Sequence, residues 1–191
     1  MANNLEKPRC GWISNPLMQR YHDEEWGVVL HDDRKLFEFM VLDAFQAGLS
    51  WKTVLNKREN FRKAFDDFDA EKISLYNEDR YEKLMADAGI IRNRAKIRGT
   101  IENAKAFLNI QKEFGSFDNY IWSFVDHQPI INSWNSLSEL PAKTEVSDRM
   151  SKELAKRGFK FAGSTICYAF MQAAGLVNDH VTGCFRHTQL K

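Results

Sequence analysis

Four residues near the two ends of the chain could together hold a metal ion. His180 and Cys184 are four apart in HVTGC, which places two ligands on one helical turn or around a tight turn, and Cys10 and His22 lie at the opposite end. Two thiolates and two imidazoles suit tetrahedral zinc, and four protein ligands leave no open position. Free thiols and surface imidazoles fit the same spacing. If zinc binds here, it is structural and joins the two termini.

An acid, Asp43, interrupts an otherwise apolar helical pattern over residues 33–47. Apolar side chains recur there at the spacing of one helix face, and Asp43 comes three residues after Met40. Such a carboxylate points into or beside the core, which is costly unless a partner satisfies it. Two interpretations remain open: a satisfied acid at the edge of the core, or an acid that reads a ligand at the floor of a pocket.

Two further groups of residues flank this helix. After it come Gly48, which can end the helix by adopting positive φ, and Leu49, which is either tucked under the loop or offered to a partner. Before it, Tyr21 and Trp26 are five apart and can border one face of a short helix that Pro16 opens. These rings are either ordinary core aromatics or part of a binding site.

Residues 84–96 (LMADAGIIRNRAK) indicate a helix, a hairpin and a second helix. Gly89 permits a tight turn, and the backbone N–H groups at the start of the second helix would face a phosphate. The positive charges around that point are Arg92, Arg94 and Lys96. The usual pattern has a second glycine where this chain has Ile91, and a solvated basic helix face is the alternative.

Helical periodicity runs through most of the chain and predicts an all-α fold without strands. The predicted helices are a short one between Pro16 and Gly27, then 33–47, 50–65, 70–76, 78–88, 93–113, 147–157 and 164–174, with a loop at 127–143. The length suits a single domain, 1–191, or two lobes. In the second case one lobe comprises 1–50 plus 140–191 and carries the metal ligands, and the other comprises 51–139 and carries the hairpin.

Composition excludes several classes of protein. The hydrophobic fraction of 43% supports a core, and the aromatic fraction of 13% leaves rings for a site. A net charge of +1 means that any nucleic-acid binding relies on a local basic patch. There is no run of 18 apolar residues, no apolar signal region, and an odd count of three cysteines. We expect a cytoplasmic protein without a disulfide framework or a membrane partner.

Several strings, taken in order, carry a family resemblance. They are CGW (10–12), YHDEEWG (21–27), QAGLSW (46–51), DAGIIRNRAKI (87–97), GFKFAGSTICYAFMQAAGLVNDH (158–180) and Cys184. Together they resemble the bacterial 3-methyladenine DNA glycosylase I family. The resemblance covers nearly the whole chain. It implies a helix-hairpin-helix glycosylase that excises N3-methyladenine from alkylated double-stranded DNA, with Zn²⁺ held by Cys10, His22, His180 and Cys184.

The same resemblance assigns roles to individual positions. The pocket aromatics fall on Trp12, Tyr21, Trp26 and Trp51, and the loop tip that fills the gap in the duplex falls on Gly48 and Leu49. The base-reading acid of the family, commonly a glutamate, is Asp43 here and is one methylene shorter. Met18 stands where a second aromatic, often a tyrosine, is common.

The resemblance implies base flipping, stacking of a cationic base on aromatic rings, and hydrolysis of its N-glycosidic bond, with Asp43 and Tyr21 as the residues closest to the chemistry. We expect a monomer. We also expect no lyase activity, because no lysine is placed as an obvious nucleophile. Asp118 and Asp126 are available as assisting acids, but nothing singles either out. Two rival interpretations are a zinc hydrolase that uses His22, Asp23, Glu24 and Glu25, and a non-catalytic module that binds alkylated DNA.

Overall fold

Helices form most of the computed structural model, which describes residues 7–191. Within that range the α-helices are α1 (Pro16–Glu24), α2 (Asp33–Gln46), α3 (Trp51–Ala64), α4 (Ala70–Ser74), α5 (Glu78–Ala86), α6 (Arg94–Phe114), α7 (Phe117–Trp122), α8 (Glu145–Lys156), α9 (Ser164–Ala173) and α10 (Phe185–Gln189). Short 3-10 segments lie at Asp66–Phe68, Ser123–Val125 and Leu137–Glu139. The mostly helical prediction is confirmed.

Two short strands depart from the purely helical expectation. β1 (Ile130–Ile131) and β2 (Val177–Asn178) pair in parallel, with Ile130 opposite Val177. The segment 127–143 was predicted to be a loop, which is wrong for Ile130–Ile131 and for the 3-10 turn at Leu137–Glu139. Two residues are too few to show the alternation by which a strand is detected, so only the tertiary pairing reveals them. The pairing holds the 127–143 segment against the chain that leads into His180.

Helix α2 lies at the centre of the fold. Leu36, Phe37, Val41 and Phe45 on this helix are completely buried, and α2 packs against α3, α6, α7 and α9. The carboxylate of Asp33 accepts hydrogen bonds from the backbone N–H groups of residues 117 and 118, at 2.9 and 2.7 Å, and so caps the start of α7. A side chain on α2 is therefore fixed relative to four other helices.

Side-chain caps explain where the helices that frame the site begin. Asp32 caps α2, Ser50 caps α3 and Asn93 caps α6, each by accepting a backbone N–H. Thr144 and Ser147 form a reciprocal capping box, so α8 begins at Glu145, two residues before its predicted start.

No helix within residues 7–191 is long and apolar enough to cross a membrane. Residues 1–6, which the sequence assigns to the first of two lobes, lie outside the described part of the chain.

Candidate active site and metal centre

Helices α1, α2 and α9 and the start of α3 surround a cavity of about 280 Å³. All five residues predicted to bind or read a base lie on its wall. The full lining is Trp12, Met18, Tyr21, Trp26, Asp43, Gln46, Trp51, Leu140, Ala169 and Gln172. Residues that are far apart in sequence therefore converge on one small, largely apolar space.

The aromatic rings of this cavity are in contact with one another. The ring centroids of Trp12 and Trp26 are 5.2 Å apart with the planes nearly perpendicular, and those of Tyr21 and Trp51 are 5.2 Å apart with tilted planes. Trp12 also approaches Tyr21 at 6.4 Å. Such edge and tilted contacts hold the rings in place and leave faces free for a planar ligand.

Two polar atoms on the cavity wall have no partner. Oδ2 of Asp43 and Nε1 of Trp51 are buried and make no hydrogen bond to any described residue. Unpaired buried polar atoms are rare because each costs roughly 1–3 kcal/mol. Burial raises the pKa of Asp43 well above its usual range, since the charged form is poorly solvated there. No described residue satisfies this oxygen, which favours the interpretation of Asp43 as an acid that reads a ligand.

Tyr21 and Met18 form the neighbouring wall. Tyr21 is buried, and desolvation, with Asp43 and Glu25 as nearby acids, raises the pKa of its phenol well above its usual value. The phenol is therefore neutral at physiological pH. Met18 is also buried and lines the cavity at the position where the family resemblance expects an aromatic ring.

Sequence reasoning missed four lining residues: Gln46, Leu140, Ala169 and Gln172. One of them, Gln46, could have been found from helix spacing, because it lies three residues after Asp43 on α2. The amide of Gln172 is oriented by Asp179, whose Oδ2 accepts its Nε2–H at 2.8 Å. The same buried carboxylate accepts from Asn132, Trp134 and Tyr168.

The predicted metal ligands come together beside this cavity. The ligating atoms of Cys10, His22, His180 and Cys184 all lie within 4.8 Å of one another, and all four residues are buried. Nδ1 of His180 lies 3.6 Å from Sγ of Cys10 and 3.5 Å from Sγ of Cys184. The pKa of the Cys184 thiol is lowered, first by the hydrogen bond from Cys10 and then by His180 and His22. This donor set could bind a metal.

Outer hydrogen bonds set the orientation of both imidazoles. Nδ1 of His22 lies 2.8 Å from Oδ1 of Asp23, and Nε2 of His180 lies 2.9 Å from the carbonyl oxygen of Trp26. Each acceptor holds the N–H of its ring, so the remaining nitrogen of each ring faces the two sulfur atoms with a lone pair. This arrangement is typical of histidines that ligate a metal.

The metal cluster and the aromatic cavity share a wall. Trp26 approaches His180 with ring centroids 4.6 Å apart, and Trp12 approaches His22 at 5.2 Å. Gly27 has φ +78°, and a Cβ there would lie 3.2 Å from the His180 ring. The cluster therefore supports the rings from behind.

A larger, more polar groove of about 540 Å³ lies on the other side of Tyr21. The two arginines at its centre are paired within the protein: Arg58 binds Glu38 and Glu25, and Arg62 binds Glu38. The buried polar atoms without a partner in residues 7–191 do not lie on its walls. We therefore assign the site to the smaller cavity.

In the two predicted DNA-facing segments, Leu49, Arg92 and Arg94 are exposed as expected, whereas Lys96 is not. Leu49 is 45% exposed at the loop tip beside Gly48. Arg92 and Arg94 are exposed and pair with no carboxylate of the described chain. Lys96, which was expected to add surface charge, is instead buried: its ammonium donates to the carbonyl oxygens of Phe45 and Ala47 at 2.9 and 2.6 Å. Its charge faces the protein.

Glycine is required at position 89 by close packing, and not by a positive φ. A Cβ at this position would lie 3.3 Å from Cβ of Asn60 and 2.9 Å from Oδ1 of Asp87. The turn between α5 and α6 thus rests directly on α3.

The fold and the cavity define a helical protein with an aromatic, acid-bearing pocket beside a thiolate–imidazole cluster. Residues 12–187 match the methyladenine glycosylase family model, and the chain belongs to the methyladenine glycosylase family. This confirms the resemblance noted from the sequence strings.

Relatives of known activity cover almost the whole chain. The chain is 55% identical over 177 residues to DNA-3-methyladenine glycosylase 1 of Escherichia coli (strain K12). The match covers 92% of this chain and 95% of that protein. It is 49% identical over 177 residues to the DNA-3-methyladenine glycosylase of Haemophilus influenzae, over 92% and 96% of the two chains.

Solved structures agree with these matches. A crystal structure of 3-methyladenine DNA glycosylase I superposes with a TM-score of 0.91 at 54% identity, covering 93% of this chain and 98% of that one. A structure of the Staphylococcus aureus 3-methyladenine DNA glycosylase I, which concerns recognition of 3-methyladenine, superposes with a TM-score of 0.89 at 33% identity. It covers 91% of this chain and 92% of that one.

Proposed function

We propose that this protein excises N3-methyladenine from alkylated double-stranded DNA, as a monofunctional N-glycosyl hydrolase of base excision repair. The observation that carries the proposal is the buried, unpartnered carboxylate oxygen of Asp43 on the wall of an aromatic cavity. The activity named for relatives up to 55% identical supports it. A protein that acts on a DNA base must take that base out of the stack and into such a pocket.

The cavity suits a cationic purine. N3-methyladenine carries a positive charge while it is attached to the sugar, and the faces of Tyr21, Trp26 and Trp51 attract it by cation–π interaction. Asp43 accepts from the exocyclic amine, which selects adenine over guanine at that edge. Entry of the cation also favours the ionised form of Asp43, whose charge is otherwise unpaired.

The reaction breaks the bond between the base nitrogen and the sugar carbon, water adds to that carbon, and a proton is released. The positive charge makes the base a good leaving group, so an oxocarbenium-like transition state needs little acid assistance. Asp118 and Asp126 do not line the cavity, and the residues that do include no lysine. A single displacement by water without lyase chemistry follows, and absence of a borohydride-trapped DNA adduct tests it.

Two exposed segments serve the duplex. Leu49 fills the space that the flipped base leaves, and Gly48 gives the loop its turn at φ +80°. The helix-hairpin-helix formed by α5, residues 87–93 and α6 holds the backbone: N–H groups at the start of α6 face a phosphate, and Arg92 and Arg94 add positive charge. Lys96 does not face the duplex, because its ammonium binds carbonyl oxygens at the end of α2.

The four buried ligands fit zinc. Cys10, His22, His180 and Cys184 would hold it through two sulfurs and two ring nitrogens, a set typical of structural sites. Bound zinc would supply folding energy, about 10 kcal/mol or more in small zinc domains, and would join residues 10–22 to residues 180–184. Four protein ligands leave no position for a substrate, which argues against a zinc hydrolase.

We also propose that the chain forms two lobes, 51–139 and the remainder, with the cavity between them. Trp51, the first residue of α3, contacts Tyr21 of α1 on the cavity wall, which supports this division.

Release of free 3-methyladenine from methylated duplex tests the function. We expect release by the wild type and a roughly 10- to 100-fold lower single-turnover rate for Asp43→Asn, since a hydrogen bond to a charged group contributes about 1.5–3 kcal/mol. Asp43→Glu, which restores the acid common in the family, is the matched control and retains activity. Binding of methylated DNA without release by the wild type would establish the non-catalytic module instead.

A further inference from the structure

The loop that carries Leu49 and the segment that forms the hairpin are connected by side-chain hydrogen bonds to backbone carbonyls. We call residues 47–50 the wedge loop and residues 87–93 the hairpin loop. Lys96, on the first turn of α6 directly after the hairpin loop, donates to the carbonyl oxygens of Phe45 and Ala47 at the end of α2. Ala47 immediately precedes Gly48 and Leu49, and Phe45 lies two residues earlier. A cation at a helix C-terminus is also favoured by the helix dipole.

A second set of contacts joins the same loops through α3. Lys57 donates to the carbonyl oxygens of Ala88 and Gly89 at 3.1 and 3.0 Å, and Asn60 donates to the carbonyl of Gly89 at 3.2 Å. Helix α3 begins directly after the wedge loop, at Trp51 of the base cavity. The wedge loop is thus held on one side by α6 and continues on the other side into a helix that holds the hairpin loop.

The chemistry of Lys96 indicates that its contacts serve position and not charge neutralisation. Lys96 is 7% exposed, and its ammonium contacts two carbonyl oxygens with no carboxylate partner in the described chain. Burial also lowers its pKa. An isolated buried ammonium is costly, so a residue that only filled space would be better replaced by an apolar side chain.

We propose that Lys96 is a positioning residue that couples the hairpin to the wedge, so that the grip on the DNA backbone sets the place at which Leu49 enters the duplex. This proposal rests on the proposed function. Sliding of one loop past the other would break the Lys96 contacts together with those of Lys57. Because the wedge loop lies between Gln46 and Trp51, two lining residues of the cavity, the coupling also aligns the cavity opening with the flipped base.

Lys96→Met tests the coupling, since methionine keeps the apolar stem and removes the ammonium. Three quantities are measured: the single-turnover rate at saturating enzyme on methylated duplex, the affinity for free 3-methyladenine, and the affinity for undamaged duplex. We expect the rate to fall by about 10- to 100-fold, the cost of a small misplacement of reacting groups. Both affinities should stay within about twofold, because the cavity and the exposed Arg92 and Arg94 are unchanged.

Lys112→Met is the matched control, because it removes an exposed charge from the last turn of the same helix, and its rate should equal that of the wild type. Lys57→Met removes two of the three hydrogen bonds of the other link and should slow the reaction in the same selective way, which covers the case in which Lys96→Met does not fold. Fluorescence of 2-aminopurine beside the lesion reports the wedge step and should show slower flipping in both variants.

Three results would overturn the proposal. A wild-type rate for Lys96→Met would mean that the contacts carry no coupling. An equal fall in rate and in affinity for the free base would mean that Lys96 only supports the fold. Weaker binding of undamaged duplex with an unchanged rate at saturation would instead support a direct contact of Lys96 with DNA phosphate, as predicted from the sequence. Failure of the wild type to release any base would count against the proposed function itself, and is seen before any variant is made.

Discussion

Asp23 and His22 are adjacent in sequence, and the carboxylate of the first holds the imidazole of the second at 2.8 Å from Nδ1. Arg9 binds both oxygens of the same carboxylate at 2.9 to 3.0 Å. Burial raises the pKa of Asp23, but hydrogen bonds from Arg9 and His22 outweigh it and lower the pKa below its usual value. The acid therefore stays ionised and keeps Nε2 of His22 directed at the two cysteines.

Asp23→Asn should weaken metal binding by roughly 10- to 100-fold, the usual cost of losing an outer-shell partner of a ligating histidine. Competition with a chromophoric chelator measures it. Asp118→Asn is the matched control, because Asp118 binds Nδ1 of His31 at the same distance of 2.8 Å but lies outside the cluster. Equal metal affinity of the two variants would show that Asp23 does not orient a ligand.

If the cluster binds structural zinc, as we propose, removal of the metal should destabilise the fold, and activity should be lost because the protein unfolds. A strong chelator is expected to lower the Tm by at least about 10 °C, because structural zinc supplies folding energy and each kcal/mol is worth about 2–4 °C at this size. Cys184→Ser should behave in the same way, and activity should fall in parallel with the folded fraction measured by circular dichroism. Loss of activity with an unchanged Tm would support the zinc hydrolase.

Asp43 should make the free protein less stable as pH rises. Because burial raises its pKa in the folded state, the folded protein holds a proton that the unfolded chain has lost above the ordinary pKa, about 3.9. The free energy of unfolding therefore decreases as pH rises from that value towards the folded pKa. The effect is absent below the ordinary pKa, where Asp43 is protonated in both the folded and the unfolded state.

Asp43→Asn removes this titration, so its Tm should exceed that of the wild type at pH 8 by a few degrees and approach it near pH 4. Scanning calorimetry across that range measures the difference. A constant difference at all pH values would show that Asp43 does not titrate in this way. The gain in stability with loss of base release would mark Asp43 as a residue kept for function at a cost in stability.

Gly175 should tolerate no side chain. It has φ +75°, and a Cβ there would lie 2.4 Å from the carbonyl carbon of Val28 and 2.5 Å from the nitrogen of Val29, both backbone atoms that cannot move freely. We expect Gly175→Ala to cost about 3 kcal/mol or more in the free energy of unfolding, measured in urea.

Two other glycines separate the cost of a positive φ from the cost of the steric contact. Gly115 has φ +85° but open space around a Cβ, so alanine there should cost only about 1 kcal/mol. Gly163 has neither a positive φ nor a close neighbour, so alanine there should cost at most about 1 kcal/mol, from its poorer N-cap of α9. Equal effects at all three positions would rule out the backbone contact with residues 28 and 29 as the cause.

Local patterns were sufficient for most of the helices and for the set of candidate residues. Helix α2 is recognisable because its apolar residues recur on one face, and Asp43 is conspicuous because it breaks that face. The metal set could be proposed because thiols and imidazoles are the ligands of zinc. Each of these inferences depends on residue type and short-range spacing, which the amino-acid order alone determines.

Long-range packing decided the rest. The strands Ile130–Ile131 and Val177–Asn178 exist because two distant segments meet, and Gln172 joins the cavity because Asp179 holds its amide. Lys96 reads as a surface charge in the sequence, yet the approach of α6 to the end of α2 buries it on two carbonyl oxygens. Spacing along one segment records which groups are available, whereas the partner that satisfies a group is set only when separate segments come into contact.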